Sequence, residues 1–507
     1  MELRYAARLG ALALVAGAIT AGPDPVQAHQ QVDPAILRLI QPGESLRGIS
    51  QPDLVERGRR LFENETFGGN GRTCATCHPA DNNFTIDPAF IAKLPRRDPL
   101  FVAEFNPALR QLENPDLMRR FGLILENLDG FDQPGVLRSV PHTLGMSQTI
   151  RADAGISAAV GEPRAGGEAS ATGWSHDGSP GGGSLREFAI GAVIQHFPRR
   201  LDRVPGVDFR LPTEAELDAM LAFQLSLGRQ EELAAPDTQD FQDDRVDLGR
   251  KLFFSSGSAP GETLAIRNGG ARDCSGCHGL AGANDGAGVN RQRTTGANHH
   301  PNAPACHGDA PGDGGHGRER VVTVSRAVLC GSGTGTVTFS GNDFFNPPSL
   351  VEAADTGPFF HNNLFDRLED AVAFYDTDVF NENREDAANG VDRAFVFLPG
   401  QVEALGAYLR AINAIENARQ ARAYIAQSTG RPLLLARRTI ELALADTEDA
   451  IEVLTGGPVP LFEGSRPVAA FVLARTALRL ALLPNRPNAL AAADTALARA
   501  TSLMLGS

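Results

Sequence analysis

Cys74-Ala75-Thr76-Cys77-His78 and Cys274-Ser275-Gly276-Cys277-His278 are two copies of one pentapeptide, Cys-x-x-Cys-His, in a single chain. This is the attachment signature of a c-type haem. Each cysteine adds across a haem vinyl group, and the adjacent histidine presents its imidazole to the iron as proximal ligand. With 6 Cys and 11 His in 507 residues, one match arises by chance in on the order of one chain in a thousand; two copies remove chance as an explanation. The competing readings are a zinc site and a dithiol redox pair. Zinc needs a second Cys/His pair at ligand spacing beside each motif, and a redox pair has no use for the trailing histidine. The expectation is therefore two covalently bound haem c groups. Cys74, Cys77, Cys274 and Cys277 are the thioether anchors, and His78 and His278 the proximal ligands.

The flanks of the two motifs repeat in the same order. Gly58-Arg59-Arg60-Leu61-Phe62 precedes the first and Gly249-Arg250-Lys251-Leu252-Phe253 the second, each closing a helical pattern, Asp53 to Phe62 and Asp243 to Phe254. Pro141-His142-Thr143-Leu144 is matched by Pro348-Ser349-Leu350, His176-Asp177-Gly178 by His361-Asn362-Asn363, and the helix start at Leu185 by that at Leu368. Amphipathic helices then close each half, Thr213 to Leu227, with a capping-box start, and Gln401 to Ile412. A helix before the haem motif and a closing helix across it is the cytochrome c plan. The predicted fold is mostly α: two tandem cytochrome c-like haem domains, residues 29–235 and 236–415, joined through Gln230–Phe241, plus a helical extension over 416–507. Helical periodicity in the extension covers Pro432–Leu454, Val468–Leu483 and Ala489–Leu505, and packing or partner docking is its expected role. Within the second half, residues 281–342 are rich in Gly, Asn and Asp and read as a long loop; its Cys306 and Cys330 are expected to form a disulfide, with a metal site using Cys306, His307, His299, His300 or His316 as the weaker alternative.

A net charge of −14 argues against a nucleic-acid partner and a polybasic membrane anchor. Arg4 and Arg8 precede the apolar run Leu9 to Ile19, and Val26-Gln27-Ala28 offers a cleavage site, so residues 1–28 read as a signal peptide and the mature protein as periplasmic. Apolar runs further on are too short or too charged to span a membrane.

Chemistry turns on the sixth ligand of each iron, because an open or weakly held position can bind peroxide or oxygen. Beyond His278 the only methionine is Met504, which leaves His361 and Tyr375 as candidates at the second haem. Tyr375 lies two helical turns after Leu368; on spacing alone, a core tyrosine bonded to a backbone carbonyl is the better reading. The same count from Leu185 lands on Ala192, which cannot ligate iron, so an open pocket is expected at the first haem. His196, His176 and His142 are candidates for a distal acid/base there, and Trp174, the only tryptophan, for an electron relay.

The order of these motifs, with Trp174-Ser175-His176-Asp177-Gly178, Phe345-Asn346-Pro347-Pro348-Ser349-Leu350 and Gly357-Pro358-Phe359-Phe360-His361-Asn362, resembles the bacterial di-haem cytochrome c peroxidases and their relative MauG over roughly residues 50–415. The resemblance implies peroxide chemistry at the N-terminal haem and electron supply through the C-terminal one. It also implies a tyrosine ligand at Tyr375, where MauG-like members replace the peroxidase methionine. Hydrogen peroxide is the implied oxidant, and a small c-type cytochrome or copper protein the implied electron donor or substrate. Calcium held between the domains by backbone and water oxygens is implied as well. Two departures stand out. His176 occupies the place where peroxidases have tryptophan directly before Asp-Gly, and Gln195-His196-Phe197-Pro198 stands where they have a distal glutamate, with no acid present. His196 is the expected substitute base. The alternatives are a di-haem electron carrier with strong ligands on both irons, and an oxygenase acting on an organic substrate.

Overall fold

Ser50 opens the first long helix by accepting the Asp53 amide hydrogen, and proline at its second position fits the N-terminal turn. This helix, α1 (Gln51–Asn64), buries Leu54, Gly58 and Phe62 at i, i+4 and i+8 along one face. The computed structural model describes residues 34–506 except 148–184, 230–237, 267–270, 283–294, 308–311, 314–321, 326–335, 341–344, 382–394 and short gaps at 129, 134, 258, 346, 464–465 and 486–487. Trp174, His176, the signal segment 1–28 and Cys330 therefore lie outside the described residues.

The described chain is mostly α-helical. After α1 come the hairpin strands β1 (Leu123–Glu126) and β2 (Val136–Ser139), antiparallel with Leu125 opposite Leu137. Next are α2 (Leu185–His196) and α3 (Glu214–Leu225), the latter started by the Thr213/Glu216 capping box. The second half has α4 (Asp244–Phe254), the short α5 (Leu368–Ala373) and α6 (Gln401–Ser428). Three further helices follow, α7 (Leu433–Thr455), α8 (Arg466–Ala481) and α9 (Ala489–Leu505), within one or two residues of the periodic segments at most ends. Among the described residues no helix is long and apolar enough to cross a membrane.

The duplication is visible in atomic detail. Helix α1 crosses α3 where a Cβ on Gly58 would stand 1.9 Å from the Ala219 carbonyl oxygen. Helix α4 crosses α6 where a Cβ on Gly249 would stand 1.9 Å from the Ala404 carbonyl oxygen. Each half thus closes on a backbone-to-backbone contact that only glycine permits.

Two expectations need correction. The insertion is not merely a long loop: Val322–Ser325 pairs antiparallel with Thr336–Ser340, and Gly312–Asp313 adds in parallel. Val-Thr-Val-Ser and Thr-Val-Thr-Phe-Ser alternate β-branched and small polar residues, a period-two signal that the surrounding glycines obscure. The closing helix of the second half does not stop at Ile412; α6 runs unbroken to Ser428. Asn413, Glu416 and Asn417 interrupt its apolar pattern, yet all three are buried, because they face polar partners inside the protein.

Candidate functional site

Each pentapeptide is a single tight turn. Cys74–Cys77 is one turn of helix and Cys274–Gly276 a 3-10 turn, and in both the histidine N–H donates to the first cysteine's carbonyl at 2.9 Å. Both thiols and the imidazole therefore leave one turn of backbone. None of the four cysteines is disulfide-bonded. Burial pushes the Cys74, Cys77 and Cys274 thiols up to about 12. That is opposite to the lowered pKa of a reactive dithiol, which weighs against a redox pair. Among the described residues no three His, Cys, Asp or Glu side chains converge as a metal site.

The histidines are held as haem ligands need to be. His78 Nδ1 lies 2.9 Å from the Phe84 carbonyl oxygen and His278 Nδ1 2.9 Å from that of Pro348. A carbonyl only accepts, so Nδ1 carries the proton and Nε2 keeps its lone pair for a metal. Burial pulls His78 down to about 4, so its imidazole is neutral at pH 7. Cys74 packs against two apolar clusters, one that includes Phe67, Ile190, Val193 and Phe197 and one that includes Phe62, Phe84 and Phe223. Thiols outside any disulfide on one turn with an oriented imidazole fit a covalently attached haem; Cys74, Cys77 and His78 would hold the first and Cys274, Cys277 and His278 the second.

Beside the first motif stands a group that sequence spacing did not reveal. His196 ends α2, and its Nε2 lies 3.4 Å from Glu126 Oε1, at the end of β1; its Nδ1 is 4.0 Å from Glu113 Oε1. The expectation that no acid stands there is thus corrected: the hairpin brings one in from 70 residues away. Charge on His196 depresses His78, and charge on Glu113 and Glu126 raises Cys77, so these groups share one locality. Ala192 is one turn before His196 on α2. His142 also neighbours His78; burial lowers it to about 4, and its Nδ1 accepts the Leu144 N–H.

Glu113 is committed elsewhere. Its Oε1 takes Arg72 Nη1 at 2.7 Å and its Oε2 the Leu125 N–H at 2.8 Å, while Arg72 also donates to the Pro99 and Leu100 carbonyls. Both side chains are essentially inaccessible, at 1% and 0% exposure. Removing one partner leaves a buried charge uncompensated, so Arg72→Ala is expected to cost about 3–5 kcal/mol. Thermal or denaturant unfolding reads this, and a loss under 1 kcal/mol would show that the pair is not an isolated buried one.

At the second motif, Tyr375 sits on a 3-10 turn, Phe374–Asp376, that follows directly on α5. The turn rotates it away from the face that a continuous helix gives, so the i+7 count locates the residue but not its direction. Its ring packs edge-on to Phe380 at 4.7 Å and near Phe374 at 5.9 Å. Burial raises its pKa, and the nearby Cys277 and Cys274 raise it further, so Tyr375 stands close to the motif. His361, the rival, is engaged: Nε2 lies 3.0 Å from Asn298 Oδ1, and the ring stacks on Phe345 at 3.6 Å. Met504 is buried in the extension core. Cys306 is disulfide-bonded, and its expected partner, Cys330, lies outside the described residues. Compared with known proteins, the chain matches no family model and no curated protein.

Proposed function

We propose that this chain is an exported di-haem c-type oxidoreductase that reduces hydrogen peroxide at its N-terminal site, with electrons arriving through its C-terminal site from a partner protein. When bound, the two haems would supply the redox-active iron that exchanges electrons with peroxide. The observation that carries the reading is the His196/Glu126 pair, 3.4 Å apart beside the first motif. Converting one hydrogen peroxide to two waters consumes two electrons and two protons. A histidine backed by a carboxylate holds and hands over protons near neutral pH, which that stoichiometry requires. Both side chains of the pair are mostly buried, at 12% and 13% exposure, and Arg72 holds Glu113 out of proton traffic. At the second site the nearest candidate is Tyr375 among phenylalanines, a setting for a ligand. That division supports one reaction centre and one electron store.

Stopped-flow mixing of the haem-loaded protein with hydrogen peroxide tests the proposal. Covalent haem at both motifs, fast Soret changes and a high-spin ferric EPR signal are expected. Two low-spin, six-coordinate haems with no Soret response would overturn peroxide reduction and favour an electron carrier.

A further inference from the structure

Where α6 and α7 meet the two halves, five carboxylates gather with little positive charge. Helix α7 contributes Asp446 and Asp449, α6 contributes Glu416, and the segment after Pro348 contributes Glu352 and Asp355. Two guanidinium groups act on them: Arg419, bonded to Glu416, and Arg229, whose charge favours ionised Glu352 and whose backbone N–H donates to Glu352 Oε1 at 3.1 Å. Asp355 Oδ2 accepts from the amides of Asn413 and Asn417, at 2.7 and 2.8 Å. Asn83 of the first half donates to the Asp355 carbonyl at 3.1 Å and to Asp449 Oδ2 at 3.4 Å. On the outer side of α7, Glu448 and Glu452 add negative charge, while Asp81 faces Arg438 at 3.8 Å.

Glu352 and Glu416 are buried and Asp355, Asp446 and Asp449 half-buried, and five acids against two cations is a charge that such a site does not tolerate fully ionised. Two oxygens confirm the shortage of partners: Asp446 Oδ2 and Asp355 Oδ1 are enclosed and meet no hydrogen-bond partner among the described residues. An enclosed carboxylate oxygen without a donor is satisfied by taking up a proton, and that is the ligand that these two oxygens suit. Burial, reinforced by neighbouring acids, raises Glu352 and Asp449 to about 7, Asp355 to about 8 and Asp446 well above its ordinary value. The cluster is also joined to both proximal histidines by short stretches of chain. Asn83 precedes Phe84, which holds His78, and Glu352 follows four residues after Pro348, which holds His278.

We propose that this cluster is a proton-loading site, taking up a proton from solvent when an electron enters the haem pair; the inference rests on the di-haem reading above. The electron comes from the partner protein and lowers the charge at one iron by one. One O–H bond forms on a cluster carboxylate, no bond breaks, and the net charge of the buried region is unchanged. Raising the pH empties the site and makes electron uptake less favourable.

Midpoint potentials of the haem-loaded full chain, followed spectroelectrochemically from pH 6 to 9, test this. In the unmodified protein the potential is expected to fall with pH most steeply around pH 7–8, with a ceiling of about 59 mV per unit for one proton per electron. Asp446→Asn combined with Asp449→Asn should at least halve that slope with haem content unchanged. Should the double variant not fold, Asp446→Asn alone and proton uptake by the unmodified protein on reduction, read with a pH indicator in unbuffered solution, replace it. A pH-independent midpoint, no proton uptake, or a folded variant with the original slope would overturn the proton-loading site while leaving the di-haem reading intact. A chain without covalent haem would overturn both.

Discussion

Alanine at Gly249 is expected to disable the second half of the protein. The new methyl carbon would stand 1.9 Å from the Ala404 carbonyl oxygen and 2.8 Å from Tyr408 Cβ, so α4 and α6 must separate. Backbone cannot rotate aside as a flexible side chain can, which puts the cost at or above about 3 kcal/mol, the upper end of ordinary overpacking. For a unit of this size that is roughly 6–12 °C in melting temperature. Gly58→Ala is expected to do the same to the first half, through Ala219. The control is Gly400→Ala, which meets nothing within 4 Å but carries a φ of +85°. It should cost only the backbone term, about 1 kcal/mol. Thermal unfolding with haem counted per chain reads the outcome: Gly249→Ala should lose haem at Cys274/Cys277 and keep it at Cys74/Cys77. An unchanged melting curve for Gly249→Ala would mean that the crossing is looser than described.

The second large effect concerns chemistry. Glu126→Gln keeps the shape of the side chain and removes its negative charge, and His196→Ala removes the proton carrier. Either is expected to slow the reaction with hydrogen peroxide by roughly 10²–10⁴-fold, the range for loss of a positioned acid/base. Haem content should be unchanged, because neither residue belongs to the attachment turn or to the Arg72–Glu113 pair. Glu113→Gln is the contrasting variant: it weakens a buried ion pair and should show its effect in unfolding more than in turnover. Peroxide rates equal to the unmodified protein in both Glu126→Gln and His196→Ala would remove this pair from the mechanism.

What could be read from sequence followed physical range. The helices α1, α3 and α4 and the attachment turns are encoded locally, by caps, apolar spacing and the pentapeptide itself, and they lie where periodicity put them. Gly58 and Gly249 were legible as repeated positions, but their reason, a close helix crossing, appears only when two distant segments meet. Glu126 carried no signal: a single acid at the end of a short strand looks like any solvated charge until the hairpin sets it beside His196. The same holds for Asp446 and Asp449, whose place on α7 resembles an ordinary polar helix face. Burial inverted the usual reading of charge in each case.

The unbroken run of α6 from Gln401 to Ser428 has a consequence for how the protein is made. Its first half crosses α4 and its second half packs on α7, so one rod of about 42 Å belongs to two parts at once. The extension is thus no detachable appendage, and a stop codon between Ile412 and Ser428 would shorten the beam that braces the second motif. During synthesis the first half can close on α3 early, whereas the second must wait until α6 and α7 have emerged. Cysteines 274 and 277 accordingly spend longer exposed before their pocket is complete, and order of assembly, first site before second, is written into the connectivity.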